Sequence, residues 1–306
     1  MDFVKVTLWV ERTNFIQGKL LHPRPKIHSK FLFRRAGLGF NAGVPTKIIA
    51  VANQKGGVGK TTTCINLSAC LAQVGRKVLL LDLDPQANST SGLGLEKVEG
   101  ASAYRPLLGQ GSLADKIRPT AFEGLEIIPS EVDMCGAEVE IARADNHLRR
   151  LAALLRPVAD TGRHDFIIID CPPSLGILTL NAFAASDYLI IPLQCEYYSL
   201  EGISMTHRVL SQVRQGGINP GLELLGVVMT MFDGRTRLAP QVVEEVRQHF
   251  GPLVFDTVIP RSIRLAEAPS FGKPIIHYDK YNPAAAAYEV LTGELLNRLK
   301  ARETAS

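Results

Sequence analysis

Residues 54–62, which read QKGGVGKTT, combine three glycines, two lysines and two threonines in nine positions. An apolar run of strand length, residues 47–53, precedes this segment, and apolar residues at helical spacing follow it from Thr61 to Val74. A glycine-rich loop between a strand and a helix directs its backbone N–H groups at one point, where the helix N-terminus adds partial positive charge. The segment therefore predicts an anion site that suits the β- and γ-phosphates of a nucleotide.

The residue types in this loop also predict how it would hold a phosphate chain. The predicted phosphate-binding residues are Lys55, Gly56, Gly57, Val58, Gly59, Lys60, Thr61 and Thr62. The glycines allow positive φ and a close approach of phosphate to the backbone. Lys60 supplies a mobile positive charge, Thr61 offers a hydroxyl to Mg²⁺, and Thr62 caps the phosphate side.

Two acidic motifs follow other apolar runs of strand length. Asp82 and Asp84 lie at i and i+2, on one side of an extended chain, and Asp170 ends the run at residues 166–169. Unpaired carboxylates among apolar residues are costly, and a bound cation or a water molecule to be activated relieves that cost. The alternative for Asp82 and Asp84 is a strand-end pair that caps the next helix.

The strands and helices that must position these groups are predicted by apolar runs that alternate with segments of helical apolar spacing. Strands are predicted at residues 47–53, 77–82, 125–128, 166–169, 188–192, 224–231 and 254–259, and helices at about 61–74, 137–156, 176–185, 200–215, 238–250 and 284–301. Apolar strands that alternate with helices predict an α/β fold, with a mostly parallel, twisted sheet and helices on both faces. We expect one domain over residues 46–302 and a frayed tail at 303–306.

Charge and cysteine usage exclude several classes of protein. Residues 1–45 hold eight basic and two acidic side chains, which predicts a basic, flexible extension or a wrongly assigned start. The alternative is a basic arm that binds nucleic acid or an acidic surface. No stretch approaches the ~20 apolar residues that span a membrane. The five cysteines are widely spaced, which argues against a disulfide framework, a zinc site or an iron–sulfur site and for a reducing cytosol.

One departure from the usual phosphate-loop pattern is informative. Gln54 replaces the first glycine of G-x-x-x-x-G-K-[ST], and Lys55 adds a second lysine. The pattern K-G-G-x-G-K-[ST] resembles the deviant Walker A motif of the MinD/ParA class of P-loop ATPases. The resemblance implies a P-loop NTPase fold, and that Lys55 reaches the partner subunit's phosphates in an ATP-sandwiched homodimer. The alternative is that Lys55 is a solvated loop charge.

The acidic motifs resemble those of the same class. Residues 82–88, DLDPQAN, look like the ParA/Soj form of the second Walker motif, which implies that Asp84 orients the attacking water and that Asp82 lies near the metal shell. Residues 167–174 resemble the Walker B motif, which implies that Asp170 holds a water on Mg²⁺. With Lys55 and Lys60, Asp84 would therefore be catalytic.

Three further segments, residues 192–202, 229–236 and 259–274, resemble the chromosome- and plasmid-partition branch, and the similarity extends over about 46–300. It implies that Pro260 and position 262 contact the adenine base, although this chain has Ser262 where the family usually has Asn. It also implies that Arg235 and Arg264 bind duplex DNA through its phosphates, without sequence preference.

The chain is thus identified as a member of the ParA/Soj-type partition ATPases. This implies a cytoplasmic, nucleoid-associated ATPase that uses ATP and Mg²⁺, dimerises with ATP, binds DNA, and releases it when a ParB-like centromere-binding protein stimulates hydrolysis. The alternatives are a MinD-like ATPase that positions cargo on a membrane surface, an iron–sulfur ATPase, and a DNA-coating protein with vestigial ATPase activity. Residues 294–306 have few apolar and only three basic residues, which favours a helix docked on the core over a membrane-binding helix.

Overall fold

The computed structural model describes residues 45–196 and 199–304 of the 306-residue chain. Apart from Pro45, the predicted basic extension lies outside the described residues. Within the described ranges, one sheet contains the strands β1 (Lys47–Val51), β2 (Val78–Asp82), β3 (Arg118–Pro119), β4 (Leu125–Ile128), β5 (Phe166–Asp170), β6 (Tyr188–Gln194), β7 (Glu223–Phe232) and β8 (Val254–Pro260).

The strand order is β3-β4-β2-β5-β1-β6-β7-β8, and every neighbouring pair is parallel except β3 with β4. The predicted mostly parallel sheet is therefore confirmed. The antiparallel edge strand β3 was not predicted, because two residues are too few to show an apolar pattern.

The described α-helices are α1 (Lys60–Gln73), α2 (Asn88–Gly92), α3 (Tyr104–Leu107), α4 (Met134–Ala142), α5 (Arg150–Asp160), α6 (Ile177–Ala185), α7 (Ser199–Gln215), α8 (Leu238–Phe250), α9 (Ile263–Glu267), α10 (Ile275–Tyr278) and α11 (Pro283–Glu303). Short 3₁₀ turns lie at Ala114–Lys116, Gly251–Leu253 and Ala268–Phe271. Helix α11 extends one residue into the segment predicted as a tail.

Helices cover both faces of the sheet. Along β1, Ile48 and Ala50 belong to one hydrophobic core, which includes residues of α5, α6 and α8, while Ile49 and Val51 belong to the other, which includes residues of α1 and α11. Successive side chains of a strand point to opposite faces, so both sets are buried only when both faces are covered. This explains why the central strands read as continuous apolar runs rather than as alternating ones.

The prediction of a single helix at about 137–156 is wrong, because two helices, α4 and α5, occupy this region. Between them, Asn146 has a φ of 55°, in the left-handed region that ends helices. The buried Asn181 side chain of α6 accepts a hydrogen bond from Leu151 N (3.1 Å) and donates one to His147 O (2.7 Å). A side chain from a different helix therefore satisfies the backbone at this break, which local apolar spacing does not reveal.

Helix α11 packs on the core and also protects the β8 edge of the sheet. Leu291, Leu295 and Leu299 are buried. Glu294 accepts hydrogen bonds from the backbone N–H groups of Asp256 (2.8 Å) and Thr257 (3.1 Å), which an edge strand would otherwise leave open. The C-terminal helix is therefore docked, as its sequence predicts. No helix in the described ranges is both long enough and apolar enough to cross a bilayer.

Replacing Asn181 by Ala should lower the free energy of unfolding by about 2 kcal/mol, because the buried Leu151 N–H loses its acceptor and the His147 carbonyl loses a donor. Urea denaturation measures this change. The matched control is Gln248→Ala, which removes an exposed amide that bonds only Glu244 (3.1 Å) and should change stability by less than about 0.5 kcal/mol. Equal effects of the two substitutions would contradict the role of Asn181.

Candidate active site

The three predicted motifs meet at the carboxyl ends of neighbouring strands. The sheet order β2-β5-β1 places Asp82 directly beside Asp170 in register, and Asp170 beside Val51, the last residue of β1. The glycine loop follows Val51, so the loop and both carboxylates share one edge of the sheet. In open parallel sheets this edge is where ligands bind.

Contacts with the neighbouring strands β6 and β7 hold the glycine loop. Asn53 donates to Pro192 O of β6 (2.8 Å), and its Oδ1 accepts from Lys55 N (3.0 Å). Thr230 of β7 donates to Val58 O (2.9 Å). Neither Asn53 nor Thr230 is among the residues that the sequence predicts for the site. Asn53 could have been suspected, because it is a polar residue at the end of an apolar run.

The loop conformation requires glycine at two positions. Gly57 and Gly59 have φ of 72° and 88°, in the left-handed region where a Cβ is strained. Gly59 directly precedes the first residue of α1, so the turn leads into the helix N-terminus. Thr61 and Thr62 lie half-buried in the first turn of this helix, while Gly56 is exposed and Val58 is buried.

Lys60 lies across the loop and is buried. Its Nζ donates to Lys55 O (3.2 Å), and only 6% of the residue is exposed. Burial lowers the pKa of Lys60, while the nearby carboxylates of Asp170 and Asp84 oppose that shift. The ammonium group is therefore held near both the loop and the acidic residues.

The carboxylates of Asp82 and Asp170 are both buried but have different partners. Asp82 accepts from Asp84 N (3.2 Å) through Oδ1, and from Thr90 N (2.9 Å) and Thr90 Oγ1 (2.7 Å) through Oδ2. Asp170 Oδ2 accepts from Ser89 Oγ (2.8 Å), whereas its Oδ1 is buried and receives no hydrogen bond from the described residues. Burial raises the pKa of both carboxyl groups, and the charge of Asp170 raises that of Asp82 further.

These residues fit a hydrated divalent cation better at Asp170 than at Asp82. A buried carboxylate oxygen without a donor is costly, and a cation or its water would complete it. The Thr61 hydroxyl is close enough to Asp170 to lower its pKa. Both oxygens of Asp82 already accept hydrogen bonds. Its location near the metal shell stays a prediction, and only its position beside Asp170 supports it.

Asp84 lies at the same edge and keeps one oxygen available. Its Oδ1 accepts from Gln86 N (2.9 Å), and none of the described residues donates to its Oδ2. The residue is 6% exposed. A free carboxylate oxygen in a sheltered position is suited to orient a water molecule, the role that the resemblance implies for Asp84.

Lys55 is not a free loop charge. Its Nζ forms an ion pair with Glu196 Oε2 (3.2 Å), and Gln194 donates to the other oxygen of Glu196 (2.6 Å). Both partners are partly exposed, with 35% of the Lys55 and 50% of the Glu196 side chain accessible. The lysine is therefore held within its own chain by a contact that solvent can reach.

The residues predicted to contact the base lie further along the same edge, three strands from β1. Pro260 ends β8 beside Phe232 of β7. Ser262 caps α9 by accepting from Leu265 N (3.3 Å) and donates to Asn282 Oδ1 (3.1 Å). Asn282 in turn caps α11 by accepting from Ala284 N (3.0 Å). The Ser262 hydroxyl therefore joins two helix caps, a contact that the sequence did not predict.

The two predicted DNA-binding arginines lie outside this cluster, in segments that follow β7 and β8. Arg235 is 89% exposed and binds Asp233 through two hydrogen bonds (2.9 and 2.7 Å), which lower the pKa of Asp233 to about 2. Arg264 contacts Glu267 (3.3 Å) and the Tyr278 hydroxyl (3.3 Å). Each arginine therefore already has a partner within the chain.

Comparisons with known proteins find relatives over most of the chain. Residues 46–224 match a family model described as an AAA domain. The chromosome partitioning protein ParA of Myxococcus xanthus is 50% identical over 254 residues, which are 82% of this chain and 88% of that protein. The sporulation initiation inhibitor protein Soj of Bacillus subtilis is 50% identical over 252 residues, which are 81% and 98% of the two chains.

A solved structure shares both the fold and part of the sequence. Cobyrinic acid a,c-diamide synthase of Mycobacterium smegmatis, crystallised with bound ADP and magnesium, has a TM-score of 0.73 and 36% sequence identity. The match covers 83% of this chain and 96% of that chain.

The paired carboxylates predict an unusual pH dependence of stability. A carboxyl whose pKa is raised on folding binds more protons when folded, so its ionisation destabilises the fold as the pH rises above about 4. Asp170→Asn removes this charge. We compare the melting temperature of Asp170→Asn minus that of wild type at two pH values, in EDTA and without nucleotide. This difference should be a few degrees higher at pH 8 than at pH 5.

Thermal unfolding at the two pH values tests this expectation. Asp145→Asn is the control, because it removes an exposed carboxylate; the same gain at pH 8 in this variant would indicate a general effect of removing a negative charge. A pH-independent effect of Asp170→Asn would contradict the raised pKa.

Proposed function

Since the chain belongs to the ParA/Soj family of chromosome partitioning proteins, we propose that it is a Mg²⁺-dependent ATPase whose ATP-bound homodimer binds duplex DNA and releases it after hydrolysis. The observation that supports this most is the meeting of the glycine loop, Asp84 and Asp170 at one sheet edge, where one Asp170 oxygen has no donor among the described residues. A related structure with bound ADP and magnesium supports the choice of ligands.

Each part of the site has a distinct task in this proposal. The N–H groups of the loop and the α1 N-terminus bind the phosphates, and Lys60 neutralises their charge. Asp170 and Thr61 would hold Mg²⁺ or its water, and the ion would supply neutralisation of the phosphate charge. Asp84 accepts a hydrogen bond from the attacking water through its free Oδ2 and orients it. Pro260 and Ser262 lie along the edge where the base would extend.

Lys55 provides the proposed link between nucleotide and dimerisation. In the single chain it pairs with Glu196, and exposed pairs of this kind contribute little to stability. A triphosphate of the partner subunit carries several negative charges, so it competes well for the ammonium group. If Lys55 leaves Glu196 and binds the phosphates of the partner subunit's ATP, the dimer depends on ATP.

DNA binding through Arg235 and Arg264 would also be an exchange of partners. Each guanidinium leaves a neighbouring carboxylate, Asp233 or Glu267, for a DNA phosphate. One pair of such contacts is weak, but a dimer has twice as many, so ATP-driven dimerisation would raise DNA affinity. Phosphate contacts of this type depend strongly on salt and read no sequence.

The proposal includes a ParB-like centromere-binding protein that stimulates hydrolysis, and a cytoplasmic, nucleoid-associated location. A MinD-like function on a membrane surface has less support. The leucines of the C-terminal helix that such a function would need, Leu291, Leu295 and Leu299, are buried in the core.

Asp84→Ala should abolish turnover but not binding. We expect steady-state phosphate release to fall by about 100-fold or more, because the attacking water loses its acceptor. The affinity for a fluorescent ATP analogue should stay within about threefold, because the phosphates are held by the loop. With ATP, the variant should stay bound to DNA for longer than wild type in a filter-retention assay.

Asp115→Ala, which removes an exposed carboxylate distant in sequence from the site, is the control and should behave as wild type. Rapid phosphate release by Asp84→Ala would contradict the role given to Asp84. Failure of wild type to bind ATP would contradict the proposed function itself.

Arg235→Ala should weaken ATP-dependent DNA binding and reduce its salt dependence. With one arginine lost per subunit, the slope of log K against log salt should fall by about 2 per dimer. Fluorescence anisotropy on random-sequence duplexes, with ATP, ADP or no nucleotide, measures both effects. Arg156→Ala is the matched control, since Arg156 also forms an exposed ion pair with an aspartate (3.2 Å) but lies near the amino ends of the strands. Equal losses for the two variants would contradict a DNA contact at Arg235.

A further inference from the structure

One turn of helix joins the two buried carboxylates of the site. Ser89 and Thr90 are consecutive residues of α2, and both are fully buried. The Ser89 hydroxyl donates to Asp170 Oδ2 on β5 (2.8 Å), while the Thr90 hydroxyl donates to Asp82 Oδ2 on β2 (2.7 Å). The chemistry described above uses Asp170 but assigns no task to Ser89.

The backbone is bent sharply to bring Ser89 to this position. Ala87 has a φ of 52°, an unfavourable conformation for a residue with a Cβ, and its N–H donates to Asp84 O (2.8 Å). The chain thus turns back directly after Asp84, and the start of α2 lies against the ends of β2 and β5. Strained backbone of this kind persists where surrounding contacts hold it in place.

The Ser89 contact makes the two oxygens of Asp170 inequivalent. Oδ2 has a hydroxyl donor, whereas Oδ1 is buried and has none among the described residues. A carboxylate held at one oxygen cannot turn freely about its Cβ–Cγ bond, so it keeps the other oxygen directed to one place. Without Ser89, Asp170 Oδ2 would lose the one donor that holds it at hydrogen-bond distance among the described residues, and the carboxylate could turn.

We propose that Ser89 is a positioning residue for Mg²⁺: by holding Asp170 Oδ2, it keeps Asp170 Oδ1 free and oriented for the cation or its water. This inference rests on the proposed function, because it requires that Mg²⁺ and nucleotide bind at this edge. It differs from that function in assigning part of the Mg²⁺ dependence to a residue outside both the glycine loop and the strands.

The test separates nucleotide binding from Mg²⁺ dependence in the full chain. Binding of a fluorescent ATP analogue is titrated in EDTA and then at increasing Mg²⁺ concentrations. For Ser89→Ala, we expect affinity in EDTA within about twofold of wild type, because the loop is unchanged. The Mg²⁺ concentration that gives half of the maximal change in binding of the analogue should rise about tenfold, because a hydrogen bond to a charged group is lost.

Ser91→Ala is the matched control. Ser91 lies in the same short helix, is exposed, and donates to Ala87 O (3.2 Å) rather than to a carboxylate. It should show the Mg²⁺ dependence of wild type. Two replacements at position 89 add a comparison of donors: Ser89→Thr, which keeps the hydroxyl, should be close to wild type, and Ser89→Cys, a weak donor of similar size, should resemble Ser89→Ala.

The outcomes distinguish the possibilities. A wild-type Mg²⁺ midpoint for both Ser89→Ala and Ser89→Cys would overturn the inference, as would an equal shift for Ser91→Ala, which would indicate a general effect on α2. If Ser89→Ala fails to fold, as judged by thermal unfolding without nucleotide, the other two variants are compared instead. A higher Mg²⁺ midpoint for Ser89→Cys than for Ser89→Thr would support the inference, and wild-type midpoints for both would overturn it. Absence of nucleotide binding by wild type in both EDTA and Mg²⁺ would instead contradict the proposed function.

Discussion

The site depends on the placement of two carboxylates side by side at the ends of parallel strands. Asp82 and Asp170 are register partners on β2 and β5, and both are buried. Like charges in a low-dielectric region repel, and burial adds a further penalty. The surrounding structure offsets this with the Ser89 and Thr90 hydroxyls and the ammonium group of Lys60. The carboxylates therefore favour an added cation, and Mg²⁺ bound together with a nucleotide would supply that positive charge beside Asp170.

The loop opposite these carboxylates obtains its geometry from the whole sheet. Asn53 and Thr230 tie it to β6 and β7, which lie on the other side of β1 from β5 and β2, so strands on both sides of β1 contribute to one site. Function here is therefore sensitive to changes in the sheet that touch no ligand. The caps formed by Ser262 and Asn282 show the same principle further along the edge, where one contact joins the starts of two helices.

The cations that are proposed to contact other molecules share one property. Lys55, Arg235 and Arg264 each pair with a carboxylate of their own chain at a site open to solvent. Such pairs are weak in water, so a phosphate of ATP or DNA can replace the carboxylate at small cost. Binding would then be an exchange of partners, which keeps the free protein from carrying unpaired charge and makes each contact dependent on salt.

The sequence by itself determined the fold class, the glycine loop at residues 54–62, and Asp82 and Asp170 as strand-end carboxylates with Asp84 just after Asp82, because apolar periodicity and short motifs are local in the chain. The tertiary structure alone decided the contacts between distant residues. Ser89 meets Asp170 across 81 positions, Lys55 meets Glu196 across 141, and Asn181 divides the helix that local spacing predicts as continuous. The physical reason is that a hydrogen bond needs two groups within about 3 Å, and only the packing of the sheet and helices sets that distance.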